Sequence, residues 1–214
     1  MRIFIKLPIG KPGAGKGTRV SKFLKGREDQ YEVLGTSALL KAEVKAQTEL
    51  GKRAKACMDA GNLVPDEIVI GIVIGAIRNA KKTVILDGFP RTVNQAKALL
   101  DADIYPDSII EFYVDDEVVV ERAKDRIVCA DCGEPYTLNN FNPPKEPGIC
   151  DKCGGVLKKR KDDEETTVRH RLNVYQEETY PIIEFFKEKG FAVHTIDSNT
   201  PGVSETFEKL MLEK

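Results

Sequence analysis

The chain has 214 residues, enough for one ordinary core with inserted subdomains. Charged residues make up 31% and nearly cancel, leaving a net charge of −1, which argues against a dedicated nucleic-acid binder or a membrane-surface protein. No apolar run approaches the roughly 20 residues of a transmembrane helix, and the N-terminus lacks the apolar stretch and cleavage site of a signal peptide, so a soluble, cytoplasmic protein with no membrane partner is expected.

The first predicted strand is Ile3-Phe4-Ile5. It leads into Gly10-Lys11-Pro12-Gly13-Ala14-Gly15-Lys16-Gly17-Thr18, which reads as a phosphate loop. Four glycines within eight positions let the backbone bend around an anion and turn N–H groups toward it. Arg19 to Leu24 reads as a helix, so the anion also meets a helix N-terminus. Gly13, Ala14, Gly15 and Gly17 form the cradle, Lys16 adds charge near the β- and γ-phosphates, and Thr18 offers a hydroxyl for magnesium. The usual pattern has Ser or Thr directly after the lysine, whereas here Gly17 intervenes.

Residues 35–64 read as short helical stretches without a strand, an insertion in the core. Pro65, Asp66 and Glu67 then suit the first turn of a helix and the positive end of its dipole. Ile68-Val69-Ile70-Gly71-Ile72-Val73-Ile74-Gly75-Ala76-Ile77 carries no polar residue, and an element apolar on every side must be covered on every side. It is either a strand or buried helix, or a face used between subunits, where Gly71 and Gly75 would admit another helix. Val84-Ile85-Leu86 is a short buried strand ending at Asp87-Gly88-Phe89-Pro90-Arg91. A carboxylate at such a strand end, facing a phosphate loop, is where a P-loop enzyme holds magnesium.

Ser108 to Val114 is the next strand, and Asp115-Asp116-Glu117 opens a helix carrying Arg122 and Arg126, four apart and so on one face. Residues 127–164 form a second insertion with Cys129-x-x-Cys132 and Cys150-x-x-Cys153. Two such pairs match a tetrahedral, four-cysteine structural zinc site, with a disulfide pair or an iron–sulfur cluster as the alternatives. The fifth cysteine, Cys57, sits in an alanine-rich helical segment and reads as an inert buried thiol. Arg160, Arg169 and Arg171 follow around another helix start, and Phe191 to Ile196 is a last strand. Phosphoryl transfer needs several guanidinium groups, because charge spreads over the equatorial oxygens. His170 and His194 have no partner that argues for catalysis. Alternating strands and helices predict an α/β fold, a P-loop parallel sheet covered by helices, with ligands at the carboxyl ends of the strands, where Gly10, Asp87 and Asp197 lie.

Taken together, the phosphate loop, Asp87-Gly88-Phe89-Pro90-Arg91 with Gln95 four residues on, the two cysteine pairs, Phe141-Asn142-Pro143-Pro144 and Arg160-Lys161-Asp162-Asp163 resemble the adenylate kinase family in its long form with a zinc-bearing lid. The resemblance covers essentially the whole chain. It implies reversible transfer of the γ-phosphoryl of Mg-ATP to AMP, giving two ADP. It implies a core of residues 1–34, 65–126 and 165–214, an NMP-binding insertion at 35–64 and a zinc-binding lid at 127–164. By position, Lys16, Arg91, Arg126, Arg160 and Arg171 would hold the transferring phosphoryl, Arg122 would pack on the ATP base, and Asp87, with Asp162 and Asp163, would order waters around magnesium. Thr36, Leu40, Lys41, Val64, Gly88, Arg91, Gln95, Arg160 and Arg171 would form the AMP side.

The chain departs from the family where AMP binds. The family has Thr-Gly-Asp and then an arginine for the AMP phosphate, but here the stretch is Thr36-Ser37-Ala38-Leu39-Leu40-Lys41, which keeps a charge and loses the bidentate fork. Weaker or less selective acceptor binding is expected. Leu7-Pro8-Ile9 also lengthens the approach to the loop, and since proline cannot donate to a ladder the first strand is expected to end by Lys6. The apolar stretch Ile68–Ile77 motivates a homo-oligomer. Competing readings are a nucleoside monophosphate kinase of broader base specificity, a P-loop ATPase switch, and a zinc-ribbon nucleic-acid module with a vestigial nucleotide site.

Overall fold

The computed structural model describes residues 3–59, 64–138, 142–159 and 163–213, without the side chains of 57–59, so the expectation for the Cys57 thiol lies outside the described residues. A five-stranded parallel sheet has the order β2-β3-β1-β4-β8, formed by Tyr31–Gly35 (β2), Thr83–Asp87 (β3), Ile5–Gly10 (β1), Ser108–Tyr113 (β4) and Val193–Asp197 (β8). The two-residue repeat of each strand sends alternate side chains to opposite faces. Val84 and Leu86 join one core cluster while Ile85 joins the other, and Ile109 parts from Ile110 and Phe112 in the same way. Helices α4 (Asp66–Asn79), α5 (Val93–Asp101) and α8 (Pro181–Glu188) cover the first face. Helices α1 (Lys16–Leu24), α6 (Asp116–Asp125), α7 (Glu165–Val174) and α9 (Val203–Leu212) cover the second.

β1 does not end by Lys6; it runs through Pro8 to Gly10, paired with β4 along its last five residues. The reason is in the hydrogen-bond direction. Ile5 turns its N–H to Asp107 Oδ2 (2.7 Å) and its carbonyl to the Asp107 N–H (2.9 Å), on the β4 side. By the two-residue alternation, Leu7 and Ile9 also face β4 and the proline's missing donor faces β3, where the recorded pairing stops at Lys6. The edge strand β2 is an element that the sequence pattern does not announce. Nor does the pattern announce the burial of Lys6, which is 2% exposed and donates from Nζ to the Glu213 carbonyl (2.5 Å), tying the C-terminal segment to the middle strand.

The apolar run 68–77 is helix, not strand. One side of α4, Val69, Val73 and Ile77, packs on the sheet cluster. Another side, Ile68 and Ile72, packs with Ala54, Leu39, Leu40, Val44, Leu50 and Val64, contributed in part by α2 (Thr36–Ala46) and α3 (Glu49–Asp59). These two sides of the helix are therefore covered from within the chain, while Gly71 is exposed and a Cβ on Gly75 would meet open space.

A second, three-stranded antiparallel sheet has the order β6-β5-β7, from Pro135–Thr137 (β6), Arg126–Cys129 (β5) and Leu157–Lys158 (β7). Its small core is Ile127, Cys129, Tyr136 and Cys150 with Leu157 packed against them.

The α2–α3 pair tests how tightly the helical insertion is built. A Cβ on Gly51 would stand 2.1 Å from the Glu43 carbonyl oxygen, a backbone atom. Gly51→Ala should therefore force the two helices apart and lower the unfolding free energy by about 2 kcal/mol, measured by urea denaturation; an unchanged midpoint would contradict this packing.

Candidate active site

The loop after β1 owes its shape to two glycines. Gly13 and Gly15 have φ of 82° and 81°, in the left-handed region. Gly10 serves a different purpose from the anion cradle: a Cβ there would lie 2.8 Å from both Cβ and O of Phe112, so the glycine lets β4 come close. Gly15 precedes α1, and no side chain caps that helix start. Its N–H groups are left for an anion, which the helix dipole also favours.

Lys16 Nζ stands 3.5 Å from Asp87 Oδ1, at the carboxyl end of β3. Burial pushes the Lys16 ammonium below the ordinary lysine range; Asp87 opposes this, and the nearby Arg91 and Arg171 reinforce it. Lys16 thus feels two further cations beside one carboxylate, an arrangement that favours an incoming polyanion. Asp87 keeps its side chain 42% exposed, and it and the exposed Thr18 could offer hard oxygen donors of the kind magnesium takes.

Behind the loop, Arg122 donates to the Gly13 carbonyl (3.5 Å), to the Ser198 carbonyl (3.2 Å) and to Asn199 Oδ1 (3.0 Å). Arg19 lies beside it and donates to the Ala14 and Ser198 carbonyls at 3.2 and 3.3 Å. Burial, and for Arg19 its neighbour Arg122, lowers both guanidinium pKa values. Sequence reasoning missed Arg19. Its signal was positional: one helical turn after Gly15, it can reach back under the loop.

On the other side of Lys16, Gly88 has φ 78° and its carbonyl accepts from Thr36 Oγ1 (2.9 Å) and Arg91 Nε (2.9 Å). This carbonyl joins the start of α2 to the turn after β3. Gln95 is 5% exposed and accepts from the Arg91 N–H through Oε1 (2.7 Å). Leu40 and Val64 meet against α4, whereas Lys41 is exposed on α2. Thr179, in a π-helical turn Tyr175–Thr179 after α7, donates to the Arg91 carbonyl (2.9 Å).

Arg126 is engaged by a carboxylate of its own. It forms a bidentate pair with Asp163, Nε to Oδ2 at 2.8 Å and its second nitrogen to Oδ1, and the Asp163 side chain is 3% exposed. Arg126 opens β5 and Asp163 precedes α7, so the pair closes the base of the segment between them. Arg160, Lys161, Asp162 and Phe141 lie outside the described residues.

The four cysteines form one cluster, with all Sγ atoms within 4.8 Å of one another. Cys129 and Cys153 stand 3.5 Å apart and Cys132 and Cys150 3.6 Å apart. Tetrahedral zinc, with bonds of about 2.3 Å, would set sulfurs about 3.8 Å apart, so the cluster fits a metal site with four thiolate ligands, and no disulfide joins these cysteines. Burial alone would raise the Cys150 thiol, but the Tyr136 hydroxyl and the Lys152 and Cys153 backbone N–H groups hold it down at about 6. Gly155 is required for this turn, since a Cβ there would lie 2.9 Å from Cys129 Sγ and 2.2 Å from Asp131 Oδ2.

A parallel sheet, a phosphate loop at the carboxyl end of its middle strand and converging cations there define a P-loop nucleotide-binding fold of the phosphotransferase kind. The family model for adenylate kinase matches residues 8–191. The chain is 45% identical over 202 residues to an adenylate kinase of Caldicellulosiruptor saccharolyticus, covering 92% of this chain and 91% of that one. It is 43% identical over 210 residues to an adenylate kinase of Methanosarcina barkeri, at 94% of each chain. It is 45% identical over 192 residues to an adenylate kinase of Archaeoglobus fulgidus, at 85% of each. The chain belongs to the adenylate kinase family.

The Lys16 charge predicts a stability effect of definite sign. The folded state disfavours that ammonium, so removing it relieves the fold. Lys16→Met should melt a few degrees higher than the wild type in anion-free buffer, by roughly 1 kcal/mol at this chain length. The unfolded chain holds the proton more tightly, so wild-type stability should rise relative to the variant as pH climbs from the lowered pKa toward the ordinary lysine value. Scanning calorimetry at two pH values checks both statements; a lower melting temperature for the variant would refute them.

Proposed function

We propose that the chain transfers the γ-phosphoryl of Mg-ATP reversibly to AMP, giving two ADP. The single observation that carries the reading is the Lys16–Asp87 pair at the carboxyl end of β3, with Arg91 and Arg171 near enough to act on the Lys16 charge, within a chain of this family. An AMP phosphate oxygen attacks Pγ while the bond from Pγ to the β-bridging oxygen breaks, so ADP is both product and leaving group. The acceptor is already anionic and needs no general base. Catalysis is positioning plus electrostatics. Gly13 to Thr18 would hold the donor phosphates, with Lys16 on the β- and γ-oxygens and Arg122 beside the base. Arg91 and Arg171 would neutralise the equatorial oxygens, joined by Arg160 and by Arg126 once donor phosphates compete with Asp163. Magnesium, when bound with ATP, would neutralise charge on the donor phosphates, and Asp87 and Thr18 would hold its water shell.

Residues 35–64 would close over AMP and 127–164 over ATP, around a core of 1–34, 65–126 and 165–214. Water competes with AMP as acceptor, so a cage completed only when both substrates are present suppresses hydrolysis. Zinc on Cys129, Cys132, Cys150 and Cys153 would be structural, since four protein ligands leave no open position. It would keep the small sheet rigid, with too little core of its own. One zinc per chain is expected by elemental analysis. Its removal by a chelator, or Cys150→Ser, should lower the melting temperature by several degrees.

Two sides of α4 are covered from within the chain, so a homo-oligomer through 68–77 would have to use the side that carries Gly71 and Gly75, and the mass by light scattering decides between monomer and oligomer. Among the described residues no helix is long and apolar enough to cross a membrane. Balanced charge and soluble nucleotide substrates fit a cytoplasmic enzyme with no nucleic-acid partner. The family match running through both insertions leaves the zinc-ribbon alternative without support.

Coupled ADP formation from Mg-ATP should be rapid with AMP, slow with GMP, CMP and UMP, and absent without acceptor. Equal rates with several acceptors would make the protein a broad monophosphate kinase, and equal rates without any would make it an ATPase. Lys41→Arg should lower the KM for AMP severalfold by restoring a bidentate phosphate fork.

A further inference from the structure

Asp66 lies in the first turn of α4, yet its carboxylate is engaged by the next segment of chain. Gln95 Nε2 donates to Asp66 Oδ1 (2.6 Å), and Thr92 Oγ1 and Asn94 Nδ2 donate to Oδ2 (2.8 and 3.4 Å). Thr92 Oγ1 in turn accepts the Gln95 N–H (3.2 Å) as the cap of α5. The other end of the Gln95 amide accepts the Arg91 N–H (2.7 Å).

These partners are directional. A carboxylate accepts and does not donate, and a backbone N–H donates and does not accept. Turning the Gln95 amide over would set its oxygen against the Asp66 carboxylate and its NH2 against the Arg91 N–H. In a side chain 5% exposed, neither mismatch can be relieved by solvent. The amide is therefore held in one of its two orientations, with one N–H and one carbonyl lone pair unspent among the described residues.

We propose that Asp66 is a positioning residue that sets acceptor-base specificity by fixing the Gln95 amide. The inference rests on the proposed AMP acceptor and on Gln95, one of the residues expected on the AMP side, facing the acceptor base there. A 6-aminopurine offers a donor at its exocyclic nitrogen and an acceptor at N1, whereas a 6-oxopurine offers an acceptor and a donor at the same two places. A freely turning glutamine would serve both. A fixed one matches a single pattern, because the ribose and phosphate keep the base from turning over in its place. The mismatched base would meet donor with donor and acceptor with acceptor, the kind of discrimination a polar site achieves and an apolar one does not.

The test compares kcat/KM for AMP and for inosine monophosphate, at saturating Mg-ATP, in the wild type, Asp66→Asn and Gln95→Ala, with melting curves on each. Asn can accept or donate, so it frees one of the two constraints while keeping the shape. Asp66→Asn should narrow the AMP-over-IMP preference by about tenfold, with the efficiency toward IMP rising in absolute terms. Gln95→Ala should narrow it further, chiefly by loss toward AMP. A purely structural role would lower both efficiencies in parallel and leave their ratio alone. If Gln95→Ala collapses the ratio and Asp66→Asn leaves it within twofold, the positioning role is overturned while the Gln95 reading stands. If Gln95→Ala leaves the ratio unchanged, the Gln95 reading fails and takes the inference with it. Should Asp66→Asn melt below the assay temperature, Asp66→Ala is measured at lower temperature with the same two outcomes.

Discussion

The site is built around a charge that the ligand-free fold disfavours. Lys16 is desolvated at the start of α1, with Arg91 and Arg171 near it and, among the described residues, Asp87 alone in ion-pair contact. In water such a cluster would disperse; here strands and helix ends hold it in place. β1 and β3 are parallel neighbours, so their carboxyl ends bring the phosphate loop and Asp87 to the same edge. An anion entering this spot gains from cations whose convergence was set during folding, which is how electrostatic preorganisation avoids reorganisation during the reaction.

That edge is steady because the elements behind it are shared. α4 serves two cores at once, the sheet cluster through Val69, Val73 and Ile77 and the helical insertion through Ile68 and Ile72. Its first turn carries Asp66, which reaches the loop between β3 and α5. The helical insertion therefore packs on a helix that also holds the loop between β3 and α5. Charges elsewhere are held in reserve by pairing: Arg126 is bound by Asp163 at the base of the cysteine-bearing segment, and Arg122 and Arg19 are bound by backbone carbonyls of the loop and of Ser198.

Much of this is legible in short-range pattern. The phosphate loop, the strand before Asp87, the strand at Ser108 and the paired cysteines each announce themselves within a few residues, because backbone turns and metal chelation demand particular residues at particular spacings. Other features mislead for an equally physical reason. Pro8 suggests an early end to β1, since a proline donor is missing, but only the geometry tells which neighbour that donor would have faced. Lys6 has the composition of a surface residue and is buried by a partner 207 positions away. Tyr31–Gly35 is too short and mixed in polarity to stand out as an edge strand. The run 68–77 is apolar on all sides for either of two reasons, and the choice depends on which elements lie across it.

The sequence by itself determined the local chemistry: a loop able to wrap a phosphate, a carboxylate at a strand end, four thiols spaced for one metal, and arginines enough for a polyanion. These follow from residue type and spacing along the chain, where geometry is nearly independent of the rest of the fold. The tertiary structure alone decided which charges meet, which are held apart, and which amide is locked. Those outcomes depend on contacts between segments tens of residues apart, as between Arg126 and Asp163 or Asp66 and Gln95, and on burial that strengthens each such contact by excluding water.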